Sequence, residues 1–447
     1  MTHMLRLWPD SITRFALTAL LTLTISVSSS GCASSANIGL PTAEPDKGPM
    51  AEASSSSPAD AFPVFDEDFA RYRAAVNVWL HKRSMSHRSS EDIELNLPFE
   101  LSASKAVAYQ GRYLLFHGLN DSPYVWRNMA TELSNRGFDV RAVLFEGHGS
   151  TPKDMLKVQW EAWLNSAREH LQAWQSNGVP MHLGGFSMGA VIATWLALDN
   201  PEIASLLLIS PAFESRLNRY LRWSGLYAKF RPWVFGGMIL EDNPIKYNSI
   251  PINSGWQYFQ LTRGLKRRWG WREKITIPTL MVLTEDDSVV NHDYTQVLYH
   301  KRFVSDRRSM IIYSARSKNP NAVTDNQAVD TNSEASAAHV GYPVEEYRSS
   351  AFVQRRILNQ SHLGLMYSPM DPLFGQAASV LVCNGNEYPV FIACMRSTDH
   401  WFGAQHTVSP DGVPVARTTY NADWQGVLKR LDEVLLLSEN ATGKIKK

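Results

Sequence analysis

Gly185-Phe186-Ser187-Met188-Gly189 lies between two apolar runs, and this placement constrains the chain more than any other feature. A Gly-x-Ser-x-Gly pentapeptide arises by chance in roughly one chain in seven of this length, given ordinary glycine and serine usage. The pattern alone is therefore weak, and its context carries the argument. Met181-His182-Leu183-Gly184 reads as a buried strand, and Ala190 to Leu198 reads as a helix of small and apolar residues. A strand that passes directly into a helix at a serine needs a sharp, strained turn. Glycines on both sides of Ser187 let neighbouring backbones pass close by. Such a turn lifts the hydroxyl above the sheet and places the Met188 N–H, at a helix N-terminus, where it can stabilise an oxyanion.

The flanking sequence repeats a strand–helix rhythm. Tyr113 to Phe116 and Phe138 to Phe145 read as strands, with a helix expected from Asp121 to Asn135 between them. Gln159 to Gln175 is a helical pattern with a Trp-rich face, and Leu206 to Ile209 is the next strand. The alternation predicts an α/β fold with a mostly parallel central sheet flanked by helices. Its first part is expected over residues 63–212, with an outer helix from Asp66 to Arg83. After Ser210-Pro211 the rhythm breaks. Residues 213–272 hold many aromatics, among them Tyr220, Trp223, Tyr227, Phe230, Trp256 and Trp269, and no clear strand. They predict a helical lid over an apolar pocket, or else a structural insertion packed on the core. The sheet resumes at Thr279 to Leu283, opening a second core part over 273–447. Two insertions interrupt it: a polar, strand-poor excursion at 315–350 and a Cys-containing segment at 371–418 with short β signals. Ala422 to Leu437 closes the chain as a helix with Trp424, Val427, Leu428, Leu431 and Val434 on one face.

Three elements together carry a likeness to a known family: His117-Gly118-Leu119 after one strand, Glu146-Gly147-His148-Gly149-Ser150 after the next, and the turn at Ser187. With them the chain resembles the α/β-hydrolase family, in particular its monoacylglycerol-lipase and lysophospholipase-like branch, over about residues 105–215 and again around 275–365. The resemblance implies the α/β-hydrolase fold with a helical lid, and a serine nucleophile at Ser187 that cleaves carboxylic esters. It implies Leu119 and Met188 as the oxyanion amides, and His117 and His148 as loop-shaping residues. A serine hydroxyl is a poor nucleophile until a histidine takes its proton and a carboxylate orients that histidine. The family order along the chain is serine, acid, histidine. The acid is expected in the loop after Thr279 to Leu283, where Asp287 fits best and Asp286 is the alternative. His362, in Asn359-Gln360-Ser361-His362-Leu363-Gly364, fits the base, with His400 as rival and His339 inside the polar excursion. The spacing departs from the family, because 75 residues separate Asp287 from His362; the polar excursion would absorb the surplus.

The beginning of the chain has a different character. Arg6 and Arg14 precede the apolar run Phe15 to Val27, which is shorter than the ~20 residues of a membrane span. Ser30-Gly31-Cys32-Ala33 resembles the lipobox of bacterial lipoproteins, with Ser29 where a bulky aliphatic is usual. That resemblance implies a signal peptide over 1–31, lipidation at Cys32, and an outer-membrane lipoprotein facing the periplasm. Ordinary cleavage near Ala33 or Ala36 would instead leave a soluble periplasmic protein. Residues 32–62, rich in Ser, Ala and Pro, read as a disordered tether. In an oxidising compartment Cys383 and Cys394 are expected to form a disulfide across Asn-Gly-Asn turn chemistry.

The formal net charge of +1 gives no reason to expect a nucleic-acid partner. The basic cluster Lys266-Arg267-Arg268 reads as a solvated helix end. Neither metal-ligand spacing nor a glycine-rich phosphate loop occurs, so no metal or other cofactor is expected. The expected partner is a small acyl ester or lipid. An amidase, aminopeptidase or transacylase would use the same triad, and Glu214, Glu241 and Asp242 leave an amine-binding pocket open. A surface-tethered interaction protein without turnover is the alternative from another class.

Overall fold

The computed structural model describes residues 61–84, 88–234, 243–247, 249–270, 272–315, 343–383 and 388–437. The expected signal peptide, Cys32 and all but the end of the tether lie outside them, as do Glu241, Asp242 and His339. Eight strands form one sheet: β1 (Phe99–Leu101), β2 (Gly111–Phe116), β3 (Phe138–Val143), β4 (Met181–Phe186), β5 (Ile203–Ile209), β6 (Thr279–Thr284), β7 (Arg308–Ser314) and β8 (Val344–Ser349). Their order is β1-β3-β2-β4-β5-β6-β7-β8. Only β1 runs antiparallel, against β3; every other pair is parallel.

Period-two alternation assigns the central strands' side chains to two cores. Leu114, Phe116, Leu206, Leu208, Met281 and Leu283 face one core. Tyr113, Leu115, Leu207, Ile209, Leu280 and Val282 face the other. Both faces are covered, which is why these strands are apolar without interruption. The first face is covered by α4 (Trp160–Trp174), α5 (Met188–Asp199), α7 (Ile252–Trp269) and α8 (His292–Arg302). The second is covered by α3 (Arg127–Asn135) and α10 (Trp424–Leu435). A separate cluster is built from α1 (Phe69–Ser84) and the short α2 (Ser90–Asn96), whose start is fixed by a Ser89/Asp92 capping box.

Residues between β5 and β6 divide into two roles. The buried side of α7, with Tyr258, Leu261, Leu265 and Trp269, belongs to the core. Helix α6 (Asn218–Tyr227) has no buried residue and rests on α7 where a Cβ on Gly225 would lie 2.5 Å from the Trp256 ring. At the end of α7, Lys266 and Arg268 pair with Glu214 and with Asp199 and Glu273.

Three local expectations are corrected. The 315–350 excursion is not strand-poor to its end, because Val344–Ser349 is the edge strand β8 beside β7. Its charged sequence concealed it, yet Arg348 pairs with Asp423 at 2.6 Å and Glu346 with Arg430 at 2.8 Å. The helix expected from Asp121 begins as a 3-10 turn at Pro123–Trp126, and α3 proper starts at Arg127. In the 371–418 segment, Cys383 and Cys394 are bonded as expected, but Cys394 is reached through the helix α9 (Tyr388–Arg396). Strands β9 (Trp401–Gly403) and β10 (Val415–Arg417) complete that segment as a small parallel pair.

Burial also sets a pH response. The His170 ring packs against Phe65 and Tyr72 with both nitrogens unpartnered, and burial first, then Arg141, lowers its pKa to about 3. The unfolded chain, with histidine near ~6.5, binds the extra proton below that pH while the folded chain resists it. The neutral ring's contribution is therefore present above about pH 6.5 and is lost as pH falls toward 3. His170→Leu should flatten the decline of Tm between about pH 6.5 and 4. An unchanged slope in the variant would refute this account.

Candidate active site

Ser187 occupies the junction of β4 and α5 with φ 54° and ψ −116°, a backbone conformation that a residue with a Cβ rarely adopts. Its N–H donates to the Ile209 carbonyl at 3.0 Å, and its own carbonyl accepts from the Ala190 and Ala212 amides at 3.1 Å. The end of β5 therefore holds the turn in place. The glycines of the pentapeptide have a steric cause. A Cβ on Gly189 would lie 2.1 Å from the Phe116 carbonyl oxygen, and one on Gly185 would lie 2.3 Å from the Ala190 Cα. The end of β2 closes the space at Gly189, and the first turn of α5 closes it at Gly185, so neither position has room for a side chain.

The loop after β2 lies against the serine, since a Cβ on Gly118 would be 3.2 Å from the Ser187 Cβ. His117 shapes this loop: its Nε2 accepts from the Phe145 amide at 3.1 Å, so Nδ1 carries the proton that goes to the Gly118 carbonyl at 2.8 Å. Burial and then the neighbouring His148 hold the His117 pKa well below its ordinary value. His148 packs on His117 and is pushed down to about 4, mainly by burial. Both rings are neutral near pH 7 and are committed to structure. On the far side of the loop Asn120 accepts from the Tyr247 amide, and buried Asp121 pairs with Lys246 at 2.8 Å. Burial, opposed by Lys246, leaves the Asp121 carboxyl raised. Among the described residues, neither the Leu119 nor the Met188 N–H is taken by a hydrogen bond.

Asp287 follows β6 and is buried. Its Oδ1 accepts from the Val289 and Val290 amides at 2.8 and 2.9 Å. Its Oδ2 accepts from His362 Nδ1 at 2.6 Å. Burial pushes this carboxyl up, but the His362 charge and hydrogen bond, with the two amides, outweigh it and leave the pKa lowered. Asp286 points elsewhere, accepting from Ser350 Oγ at 2.9 Å. The Phe186 ring lies 5.0 Å from the His362 ring, which brings the histidine loop beside the serine turn, although Ser187 and His362 are not hydrogen-bonded in this structure. His400 is remote in role as well as sequence: its Nε2 bonds the Cys394 carbonyl at 2.8 Å. Among the described residues no group of His, Cys, Asp and Glu could hold a metal.

Sheet order, the strand–serine–helix turn and the late-strand acid with its histidine together decide the architecture. The chain is an α/β-hydrolase. Residues 108–316 match the serine aminopeptidase (S33) family. Over 190 residues the hydrolase is 23% identical to a thermostable monoacylglycerol lipase of Bacillus sp. (strain H-257), covering 42% of this chain and 74% of the relative. Over 200 residues it is 21% identical to a carboxylesterase of Bacillus subtilis (strain 168), covering 44% and 79%. Among solved structures, a soluble variant of the Saccharomyces cerevisiae monoglyceride lipase is similar at 15% identity and a TM-score of 0.41, covering 49% of this chain and 82% of that one. The family match stops before β8, so His362 and the Cys-containing segment fall outside it.

What sequence reasoning missed in this hydrolase is the back of the loop after β2. Lys246 and Tyr247 were hidden in the aromatic insertion, and only the tertiary contact with Asn120 and Asp121 reveals them. The tight glycine packing gives a direct test. Gly189→Ala should destabilise the protein by about 3 kcal/mol, as overpacking against rigid backbone does. This should appear as a lower urea midpoint with an unchanged slope; a wild-type midpoint would contradict the packing described.

Proposed function

We propose that this serine ester hydrolase works through Ser187, His362 and Asp287, on carboxylic esters with a lipid-like acyl chain. The observation that carries the reading is the 2.6 Å contact between His362 Nδ1 and Asp287 Oδ2 beside the strained Ser187 turn. With Nδ1 committed to Asp287, the free Nε2 takes the Ser187 proton as Oγ bonds to the acyl carbon. The carbonyl oxygen becomes the oxyanion, facing the unspent Leu119 and Met188 amides. His362 then passes its proton to the leaving alkoxide, the C–O ester bond breaks and the alcohol departs. Water, deprotonated by the same nitrogen, attacks the acyl-enzyme and returns Ser187 and a carboxylic acid.

An amphiphilic substrate is supported by α6 and the segment after it. Trp223 is 63% and Phe230 76% exposed, with Tyr220, Leu226 and Tyr227 also open to solvent. So much exposed aromatic surface on one short stretch suits contact with an apolar chain or its aggregate. An amine-binding pocket is disfavoured at Glu214, which is occupied by Lys266 at 2.8 Å and Asn291 at 3.0 Å. Lipidation at Cys32 would hold the hydrolase at the envelope membrane, the place where such substrates are found. Radiolabelled palmitate should enter the wild type and not Cys32→Ala; equal labelling of both would reject the anchor.

Hydrolysis of p-nitrophenyl esters from acetate to palmitate tests the chemistry. Ser187→Ala should lower kcat by about four orders of magnitude or more. Activity surviving in that variant would remove Ser187 from its role, and a wild type inactive on every ester would remove the ester assignment. For the acyl preference, Trp223→Ser combined with Phe230→Ser should depress kcat/KM on micellar palmitate ester about tenfold more than on acetate, the scale expected for lost aromatic burial. Equal losses on both esters would reject contact between α6 and the acyl chain.

A further inference from the structure

The loop carrying His362 is held chiefly by the Cys-containing segment. From the sheet side, besides Asp287 on the His362 ring, the described residues give two longer hydroxyl contacts: Thr284 Oγ1 to the Gln360 carbonyl at 3.2 Å, and Ser210 Oγ to the His362 carbonyl at 3.4 Å. The contacts from the other side are shorter and enclose the turn. Thr418 Oγ1 donates to the Asn359 carbonyl at 2.6 Å, while the Thr418 carbonyl accepts from Ser361 Oγ at 2.6 Å. Thr418 thus bonds both the residue three before His362 and the residue directly before it. The Asn359 side chain accepts from the Ala404 amide at 2.6 Å and from Thr407 Oγ1 at 3.2 Å. Strand β9 continues the attachment, with the Leu358 amide donating to the Phe402 carbonyl and the Phe402 amide to the Arg356 carbonyl, each at 2.8 Å. Gly364 has no room for a side chain, since its Cβ would lie 2.9 Å from the Thr418 carbonyl oxygen.

The disulfide anchors the same elements. Cys383, Cys394 and Ala416 form one buried cluster against which Phe402 packs. Arg417, directly before Thr418, donates its amide to the Val382 carbonyl at 2.8 Å, next to Cys383. The cross-link therefore joins the segment before Cys383, helix α9 and β10 into one unit, and that unit touches the base loop through Thr418 and Phe402.

We propose that residues 381–383 and 388–418 form a disulfide-secured brace that positions His362, with Thr418 and Asn359 as the positioning residues at its contact with the loop. The inference rests on the triad proposed above. The brace gives the base a second support beside Asp287: Asp287 fixes the ring through Nδ1, and the brace fixes the backbone that carries it. Catalytic competence is thereby tied to the Cys383–Cys394 bond, so the base loop is fully assembled only after oxidation. A displacement of about 1 Å in a catalytic group costs on the order of 100-fold in rate. Loss of the brace should therefore appear in kcat, with ester binding left in place.

Thr418→Val keeps the shape and removes the hydroxyl. It should lower kcat on p-nitrophenyl butyrate at least ~10-fold, with KM within about twofold of wild type, and slow fluorophosphonate labelling of Ser187 in proportion. Thr418→Ser should restore most of both. Cys383→Ser combined with Cys394→Ser should show the same kcat loss while remaining folded by circular dichroism, and this second variant keeps the test open if Thr418→Val does not fold. A folded Thr418→Val protein with wild-type kcat, or a folded double-serine protein with wild-type kcat, would overturn the brace. A loss confined to KM would overturn it as well. A wild type that neither turns over ester nor labels at Ser187 would instead defeat the triad reading on which the inference stands.

Discussion

The close approach of α5 to the end of β2 is the constraint on which the site depends. The Phe116 carbonyl lies where a side chain on Gly189 would need to be, and Ser187 takes up the resulting sharp reversal at φ 54°. Strain of this kind costs about 1–3 kcal/mol and persists only where the surroundings over-determine it. Here the surroundings are the β5 carbonyl that holds the Ser187 amide and the two amides that hold its carbonyl. Helix α5, buried from Met188 to Ala197, packs its apolar side chains against both that turn and the central strands. A looser helix would relieve the serine and remove the Met188 amide from its place beside it.

Histidines are sorted by burial. His117, His148, His170 and His182 are enclosed, and burial lowers each pKa, so they remain neutral and serve packing or loop geometry. His362 differs in having a buried carboxylate at 2.6 Å, itself supplied with two backbone amides. The His362 charge and hydrogen bond, with those amides behind them, outweigh burial and leave the Asp287 pKa lowered. Asp286, one residue away, lacks them and is raised by burial instead. The difference between the adjacent aspartates is therefore that Asp287 alone faces His362 and the Val289 and Val290 amides, while Asp286 faces Ser350.

The periphery of the fold is where this chain departs from a minimal hydrolase. Two loops of the site are backed by added pieces: the tail of the aromatic insertion behind Asn120 and Asp121, and the disulfide segment behind His362. These additions lie far along the chain from the loops they support. They bring polar groups that would otherwise be buried without partners into mutual hydrogen bonds.

The sequence by itself determined the parallel sheet, the helices on both faces, the serine turn and the pairing of Cys383 with Cys394. Period-two and period-3.6 patterns and glycine placement are local signals, and local sterics enforce them. It also narrowed the acid and base to few choices. Only the tertiary structure shows that His362 Nδ1 meets Asp287 Oδ2 while Asp286 accepts from Ser350 and His400 bonds the Cys394 carbonyl, because these contacts turn on side-chain placement across as many as 75 residues of chain. It alone revealed β8 as well, whose charged residues read as loop until Asp423 and Arg430 on or beside α10 supply their counter-ions. Long-range hydrogen bonds and ion pairs leave no periodic trace in a sequence, so the elements that depend on them become visible only when the chain is folded.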